Sequence, residues 1–320
     1  MESVQAPRTL QEAIVYFADF DNCQRFMIQL RWADGKVKCP TCGADKVTYL
    51  ETARVWKCYA KHPKAKFSLK VGTIFEDSPI GLDKWFTALW LLTTCRNGVS
   101  SYEIARSVGV SQKSAWHMMH RLRFALQDPN HTKLSGEVEV DESFIGGKAR
   151  NMHSDTRKRM MSGRNKGKTI AVGIVERGGK VKTTVVERRN KKALQSFVRE
   201  SVEAGSAIFS DELLSYDGLS DDFTHQVINH AVEYVNGNVH TNTMENFWAL
   251  VKRQLHGTHV NVEPFHLFRY LDESAFRYNY RKSVMGEFER FHLAAHQIVG
   301  KRLTWNEVTG KDADGQTIIQ

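Results

Sequence analysis

Two groups of residues in this 320-residue chain have the types and spacing of metal chemistry. The first is Cys39-Pro-Thr-Cys42-Gly43 with Cys58-x3-His62, fifteen residues lying between Cys42 and Cys58. A Cys-x2-Cys knuckle sets two thiolates on one tetrahedral ion with little strain, and Gly43 is free to take positive φ. Cys39, Cys42, Cys58 and His62 together make a Cys3His set, a common composition for structural Zn²⁺. Four protein ligands leave no open position, so one ion here would hold structure rather than react. The alternative is four unrelated reduced side chains. Cys23 and Cys95 are expected as small buried hydrophobes. Five cysteines, four of them within the first 58 residues, cannot staple a chain of this length, so a reducing compartment is expected.

The second group is acidic. Asp141 ends the run Glu137-Val-Glu-Val-Asp141-Glu142, and Asp211 stands in Ser210-Asp211-Glu212. Glu245 follows 34 residues after Asp211, with Lys252 seven residues further. Three carboxylates brought together can hold two Mg²⁺ or Mn²⁺ ions about 3.5–4 Å apart, the arrangement that promotes attack on a phosphodiester and stabilises the leaving oxygen. Seven residues is nearly two helical turns, so Lys252 shares a helix face with Glu245 and can hold a phosphate. Each acid also has a plainer role open to it. Asp141 can end a strand at a turn, Asp211 can cap a helix, and Glu245 stands three residues after Asn242, the spacing of a capping box.

These residues must be positioned by elements that the patterns predict. Residues 9–20 form one short helix, and 46–49, 55–57 and 66–69 are short strand-like pieces around the cysteines. Residues 81–127 read as three helices. Leu82, Trp85, Phe86, Leu89 and Thr93 make an amphipathic stripe that Asn97-Gly98 stops. A short helix over 101–107 turns at Gly109 into a third helix that Ser111 caps and that runs to about 126. This pair is a helix-turn-helix candidate. Ala115, Met118, Met119 and Leu122 are its buried stripe, and Gln112, Lys113, Ser114, His117 and Arg121 are expected to face DNA. A packed helical hairpin with no ligand is the alternative.

From 137 onward strand and helix alternate. Strands are expected over 137–145, 168–176 and 180–188, the last two joined by Gly178-Gly179, then a helix over 191–204 and short strands over 206–209 and 226–229. Helices over 241–255 and 264–281 follow, and 305–320 is expected to be loose. The order strand, strand, strand, helix, strand, helix, strand, helix is that of the RNase H-like fold. There the first and fourth strands are parallel neighbours, so Asp141 and Asp211 would meet at one sheet edge and a helix would bring Glu245. The fold class is therefore multidomain α+β. It comprises a zinc ribbon over 1–80, a helix-turn-helix-like unit over 81–130, an RNase H-like catalytic domain with a mixed sheet over 131–300, and a tail over 301–320.

Charge points to the partner. The chain carries 45 Lys+Arg against 36 Asp+Glu, a net +9, yet residues 146–200 alone carry 16 Lys/Arg and 4 Asp/Glu. A local excess above that of the whole chain implies a polyanion nearby, although a solvated basic surface is the other reading. Within it Lys148, Arg150, Arg157, Lys158, Arg159, Arg164, Lys166 and Lys168 follow the Asp141 strand directly and can track phosphates. The composition is 41% hydrophobic and 25% charged, which excludes a disordered chain. The longest apolar stretch, 85–93, is far short of the roughly 20 residues that span a bilayer. With no signal pattern at its start, the chain is expected to be cytoplasmic with no membrane partner.

The motifs CPTCG, WKCYAKHPKAKFSLKVGTIFEDSPI, SSYEIARSVGVSQKSAWHMMHRLR, EVEVDESFIGGK, SDELLSYDGL, HTNTMENFWALVKRQLHGTHV and RYLDESAFRYNYRK occur in that order over roughly 10–295. In them the chain resembles the zinc-ribbon DDE transposases of bacterial insertion sequences, the group with an ISXO-like transposase domain (insertion-sequence group fifteen-ninety-five). The resemblance implies that Asp141, Asp211 and Glu245 are the acidic triad and Lys252 the basic residue after it. It implies binding of element terminal inverted repeats, metal-dependent DNA cleavage and strand transfer, and a homo-oligomer on paired ends. Some members carry Asn at the third acidic position, and Asn242 and Asn246 flank Glu245. Cys58-x3-His62 departs from the plain double Cys-x2-Cys ribbon. Two other functions remain open to the sequence: an RNase H-like nuclease that cuts without joining, and a DNA-binding regulator without catalysis.

Overall fold

The computed structural model describes residues 7–127, 132–146, 168–211, 218–219, 222–228, 241–282 and 286–311. The chain divides into two compact units, Met1–Leu126 with Lys282–Gln320, and Gln127–Arg281. The ribbon and the three helices thus fall within one unit. Residues 282–300 belong to that unit too.

The first unit opens with two helices where one was expected, α1 (Leu10–Ala18) and α2 (Phe20–Arg31). Asp19 is the reason. Its backbone is extended, ending α1, and its side chain accepts the N–H groups of Asp21 and Asn22, starting α2. The ribbon follows as an antiparallel sheet of β1 (Val47–Leu50), β2 (Val55–Cys58) and β3 (Lys66–Phe67). Next come α3 (Leu82–Thr94), α4 (Ser101–Val108) and α5 (Gln112–Ala125). The predicted stripe of α3 is buried, but so are Ala88, Trp90 and Leu92, because neighbours pack on the helix from several sides. A Ser100–Glu103 capping box starts α4, Gly109 ends it at φ 63°, and Ser111 accepts the Ser114 N–H at 3.1 Å to start α5.

The chain returns to this unit at Lys282. Phe291, fully buried on α9 (Glu287–His296), lies against the rings of Phe17, Phe26 and Trp90. The segment expected to be loose is ordered through 311. A Thr304–Glu307 capping box starts α10 (Trp305–Val308), whose Trp305 ring meets those of Trp116 and His117. Aromatic contacts outweighed the local polarity. Residues 312–320 lie outside the described residues.

The second unit is a five-stranded mixed sheet in the order β6-β5-β4-β7-β8, the RNase H-like arrangement. Its strands are β4 (Glu137–Ile145), β5 (Thr169–Glu176), β6 (Val181–Val186), β7 (Ala207–Asp211) and β8 (Thr224–Ile228). β4, β5 and β6 are antiparallel, and β7 pairs parallel with β4 and with β8. β5 is an interior strand with both faces covered, so TIAVGIVE reads as a continuous apolar run. On one face Val138, Val140, Val172, Ile174 and Ile208 pack with Leu194 and Val198 of α6 (Lys191–Ser201). On the other, Ile145, Ala171 and Val175 pack with Met244, Phe247, Trp248 and Val251 of α7 (Asn242–Gln254) and with Leu267 and Leu271 of α8 (Leu267–Asn279). No helix among the described residues is long and apolar enough to cross a membrane.

Candidate metal centre and candidate active site

In the ribbon, the knuckle before β1, the end of β2 and the segment just after it bring four ligand atoms together. The sulfurs of Cys39, Cys42 and Cys58 and a ring nitrogen of His62 all lie within 4.8 Å of one another. Cys39 Sγ is 3.5 Å from His62 Nε2, and Cys42 Sγ is 3.7 Å from Cys58 Sγ. Gly43 takes φ 74° and donates to the Cys39 carbonyl at 2.8 Å, closing the knuckle. Burial pushes the Cys39 thiol up, but N–H groups of Cys42 and Thr41 donate to its sulfur and outweigh it, bringing its pKa to about 7. A thiolate held ready at neutral pH, in a Cys3His set of this span, fits a tetrahedral structural ion. Cys23 is buried and its Sγ donates to the Phe17 carbonyl at 3.0 Å, while burial raises its pKa to about 12. Cys95 is only half-buried, beyond the end of α3, and not the core residue expected.

The helix-turn-helix face divides. Lys113 is exposed, with its ammonium 4.9 Å from the Trp305 ring centroid. Gln112 donates to Ser101 Oγ at 3.0 Å, and Ser114 Oγ is 2.9 Å from Ser111 Oγ. These lie in the first turn of α5. Arg121 does not face out, and His117 is half-buried. Arg121 is 5% exposed, donates to the Glu76 carbonyl at 2.6 Å and lies over the Trp85 ring. His117 packs edge-on against Trp305, and burial, with Arg121 nearby, lowers its pKa to about 4. The sequence reading failed here because helical spacing gives a face but not the segments that will cover it. Residues 301–305 do so, with Lys301 donating to the Ala125 carbonyl at 2.9 Å.

In the second unit, β4 and β7 pair in parallel through Glu139 and Phe209. Two residues beyond that pair on each strand come Asp141 and Asp211, at the carboxyl ends of the paired segments. Asp141 is half-buried and its Oδ1 accepts the Glu142 N–H at 2.8 Å. The Asp211 backbone pairs with Ile228, and its side chain lies outside those described. Glu245 and Lys252 are both exposed on α7. Glu245 is not in a capping box with Asn242. Asn242 is already helical, and Thr241 stands at the cap position with no side-chain bond.

What starts α7 is Glu139, a residue absent from the sequence-based site. Its carboxylate is fully buried. Oε2 accepts the Met244 N–H at 2.9 Å, and Oε1 accepts from Thr243 Oγ1 at 3.0 Å and Arg177 Nε at 2.9 Å. It therefore satisfies the open N–H of a helix 105 residues away and places negative charge at the positive end of its dipole. Arg177 also pairs with Glu137 at 2.9 Å and stacks 4.1 Å over Phe209 of β7. Gly173, opposite Asp141 in the sheet, completes the fit. A Cβ there would lie 2.3 Å from Met244 Cε and 2.8 Å from Trp248 Cζ2, so only glycine lets α7 lie this close. Glu245 follows Met244, so one buried carboxylate sets the Glu245 helix against the Asp141 strand. The available signal was Glu139 itself, an acid on the strand face that also carries Ile145, where burial demands a partner.

Lys168 is exposed at the start of β5, whereas Lys148, Arg150, Arg157, Lys158, Arg159, Arg164 and Lys166 lie outside the described residues.

Residues 133–279 match the family of the ISXO2-like transposase domain, and residues 19–60 match the transposase zinc-ribbon domain. An uncharacterized protein in transposable element ISH50 of Halobacterium salinarum is 31% identical over 257 residues, covering 77% of this chain and 86% of that protein. An uncharacterized transposase-like protein of Haemophilus influenzae is 33% identical over 101 residues, covering 31% of this chain and 81% of that protein. The first match encloses Asp141, Asp211, Glu245 and Lys252. The second encloses the three cysteine ligands and stops two residues before His62.

Proposed function

The chain belongs to the insertion-sequence transposases that carry a zinc ribbon and an ISXO2-like transposase domain, and from that premise we propose that it cuts element ends and joins them to target DNA. The observation that carries the reading is the buried Glu139 bond to α7, because a fold that only bound DNA would have no need to anchor an exposed acid beside the Asp141 strand. Asp141, Asp211 and Glu245 are the acids of the site, and their all-oxygen donor set suits Mg²⁺ or Mn²⁺. Two such ions, when bound, supply charge stabilisation to the attacking and leaving oxygens.

The protein's own groups orient the strand. Lys252, two turns along α7 from Glu245, holds a backbone phosphate, and Glu139 keeps that helix in place. Water attacks the phosphorus at the element end, the P–O3′ bond breaks, and a free 3′-OH remains. That 3′ oxygen then attacks a target phosphorus in line and displaces the target's own 3′ oxygen, so no covalent protein intermediate is needed. The first turn of α5 and the ribbon bind the terminal inverted repeats, with Cys39, Cys42, Cys58 and His62 holding one structural Zn²⁺. The basic run from Lys148 to Lys168 tracks DNA phosphates, and a homo-oligomer pairs the two ends.

The test is to incubate the full chain with element-end DNA and Mg²⁺ or Mn²⁺ and map the products. Joined products are expected from wild type. Asp141→Asn, Asp211→Asn and Glu245→Gln should each cut slower by orders of magnitude with end binding kept, and Lys252→Ala should reduce the salt slope of binding by about one. Cutting without joining would make it a nuclease. Full activity in Asp141→Asn would end the triad assignment.

A further inference from the structure

Beyond Gln254 the backbone of α7 leaves regular geometry. Leu255–His259 continue it as a π-turn, a form concentrated at functional sites. The chain then passes through Val260 at φ 62°, ψ −55°, and the Asn261 N–H donates to the His259 carbonyl at 2.7 Å. This is a γ-turn of the strained hand with a β-branched residue at its centre, where positive φ is an outlier. The Val260 side chain is 77% exposed, more than any other large hydrophobic residue among those described. Folding favours neither the strain nor the exposure, and strain held in place by its surroundings is a mark of function.

The turn is held firmly. The Gln254 amide donates to His259 Nε2 at 3.2 Å, which calls for the Nδ1-protonated tautomer, and to Glu273 Oε1 at 3.1 Å. Ser274 donates to Gln254 Oε1 at 2.6 Å, and Arg277 pairs with the fully buried Glu273. The His259 ring packs edge-on against Tyr270. A buried polar network on α8 thus fixes an apolar tip in solvent. Around the tip, Lys252, Arg253 and His256 are exposed, and residues 252–261 contain no Asp or Glu.

An apolar side chain projected from a rigid basic turn has the form of the wedges that enter base-pair steps and kink a duplex. We infer that Val260 is such a wedge, inserted into the duplex held at the carboxylate site while Lys252, Arg253 and His256 grip its phosphates. The inference rests on the transposase reading above. At about 1.5 Å per residue, His259 lies about 20 Å along the helix axis from Glu245. The opened step is therefore within about six phosphates of the cut, at 3.4 Å each along a strand.

The probe is a duplex with the terminal repeat of the element that encodes this chain, joined to its flanking DNA, with 2-aminopurine at successive steps around the cut. Wild type should raise fluorescence at one step, and Val260→Leu should keep that signal. Val260→Gly, which relieves the backbone, should keep its melting temperature and bind the end within about twofold, yet lose the signal and cut about tenfold slower. A mismatch at the same step should restore its cutting. Equal signal and rate in Val260→Gly, or a slow rate that the mismatch does not restore, overturns the wedge. Wild type that cuts without opening any step overturns the wedge alone. Wild type that cuts none of these duplexes overturns the transposase reading and the wedge with it.

Discussion

The two metal-type sites are held together by opposite means. The Cys3His cluster draws its ligands from 24 consecutive residues, Cys39 to His62, around a small core of Val37, Cys39, Cys58 and Phe67. The acids of the second unit come from two strands and a helix spread over more than 100 residues, in a unit built on a five-stranded sheet packed on both faces. The ribbon buries little, so its ligands must also serve as its core. The sheet unit buries enough to fold without an ion, so Glu245 and Lys252 can be left exposed on α7. The difference lies in where the fold's stability resides: in a bound ion for one site, and in packing plus one buried carboxylate for the other.

The largest effect that would break this contrast is removal of the ribbon's metal. Structural zinc contributes about 10 kcal/mol or more to the folding of small zinc peptides. Cys39→Ser or Cys42→Ser, or a strong chelator, should lower zinc from about one per chain to near zero and unfold the ribbon. The sheet unit should keep its amide protection in hydrogen exchange. Loss of protection across both units would show that they do not fold separately. Full zinc content in His62→Ala would give the fourth ligand position to another group.

A smaller effect should come from Glu139. Removing its charge leaves Arg177 and the first turn of α7 without their partner, so Glu139→Leu should cost about 3–5 kcal/mol in denaturant unfolding. Glu139→Gln keeps an acceptor for the Met244 N–H and should cost about 1–2 kcal/mol. It should leave zinc content and end binding unchanged while cleavage slows through the turnover rate rather than through DNA affinity. Wild-type cleavage in Glu139→Gln would reduce Glu139 to a purely structural residue and remove the proposed link between the Asp141 strand and Glu245.

The smallest effect concerns His117. Its pKa lies near 4 in the folded chain against an ordinary 6.5. Between those pH values the unfolded chain binds a proton that the folded chain does not. The stability contributed by the neutral, packed ring is therefore complete above pH 6.5 and lost as pH falls toward 4. Denaturant midpoints measured at pH 7 and at pH 5 should show a drop that His117→Phe makes shallower. An unchanged drop would assign the acid sensitivity to other groups. Salt-dependent DNA affinity in the same variant should match wild type, because the His117 ring packs on Trp305 and its Nε2 is buried.

The sequence by itself determined whatever depends on near neighbours. Cys39-x2-Cys42 and Cys58-x3-His62 specify their ligand set because a knuckle closes within one turn of chain. Gly109, Ser111 and Gly178 specify turns because only local dihedrals and caps are involved. The alternation of Glu137 to Asp141 and the apolar run of β5 specified those strands, and only the order of elements, matched to the RNase H-like fold, made β4 and β7 parallel neighbours.

The tertiary structure alone decided what lies against what. It covered His117 and Arg121 with residues 301–305 and Glu76, and it packed the helix of 305–308 against α5. It gave Glu139, an ordinary acid by pattern, the task of starting α7 across 105 residues. Helical and strand periods say which side chains share a face, because they follow from the geometry of one element. Which face is covered, and which buried charge must then find a partner, depends on segments far along the chain, and no local period encodes that.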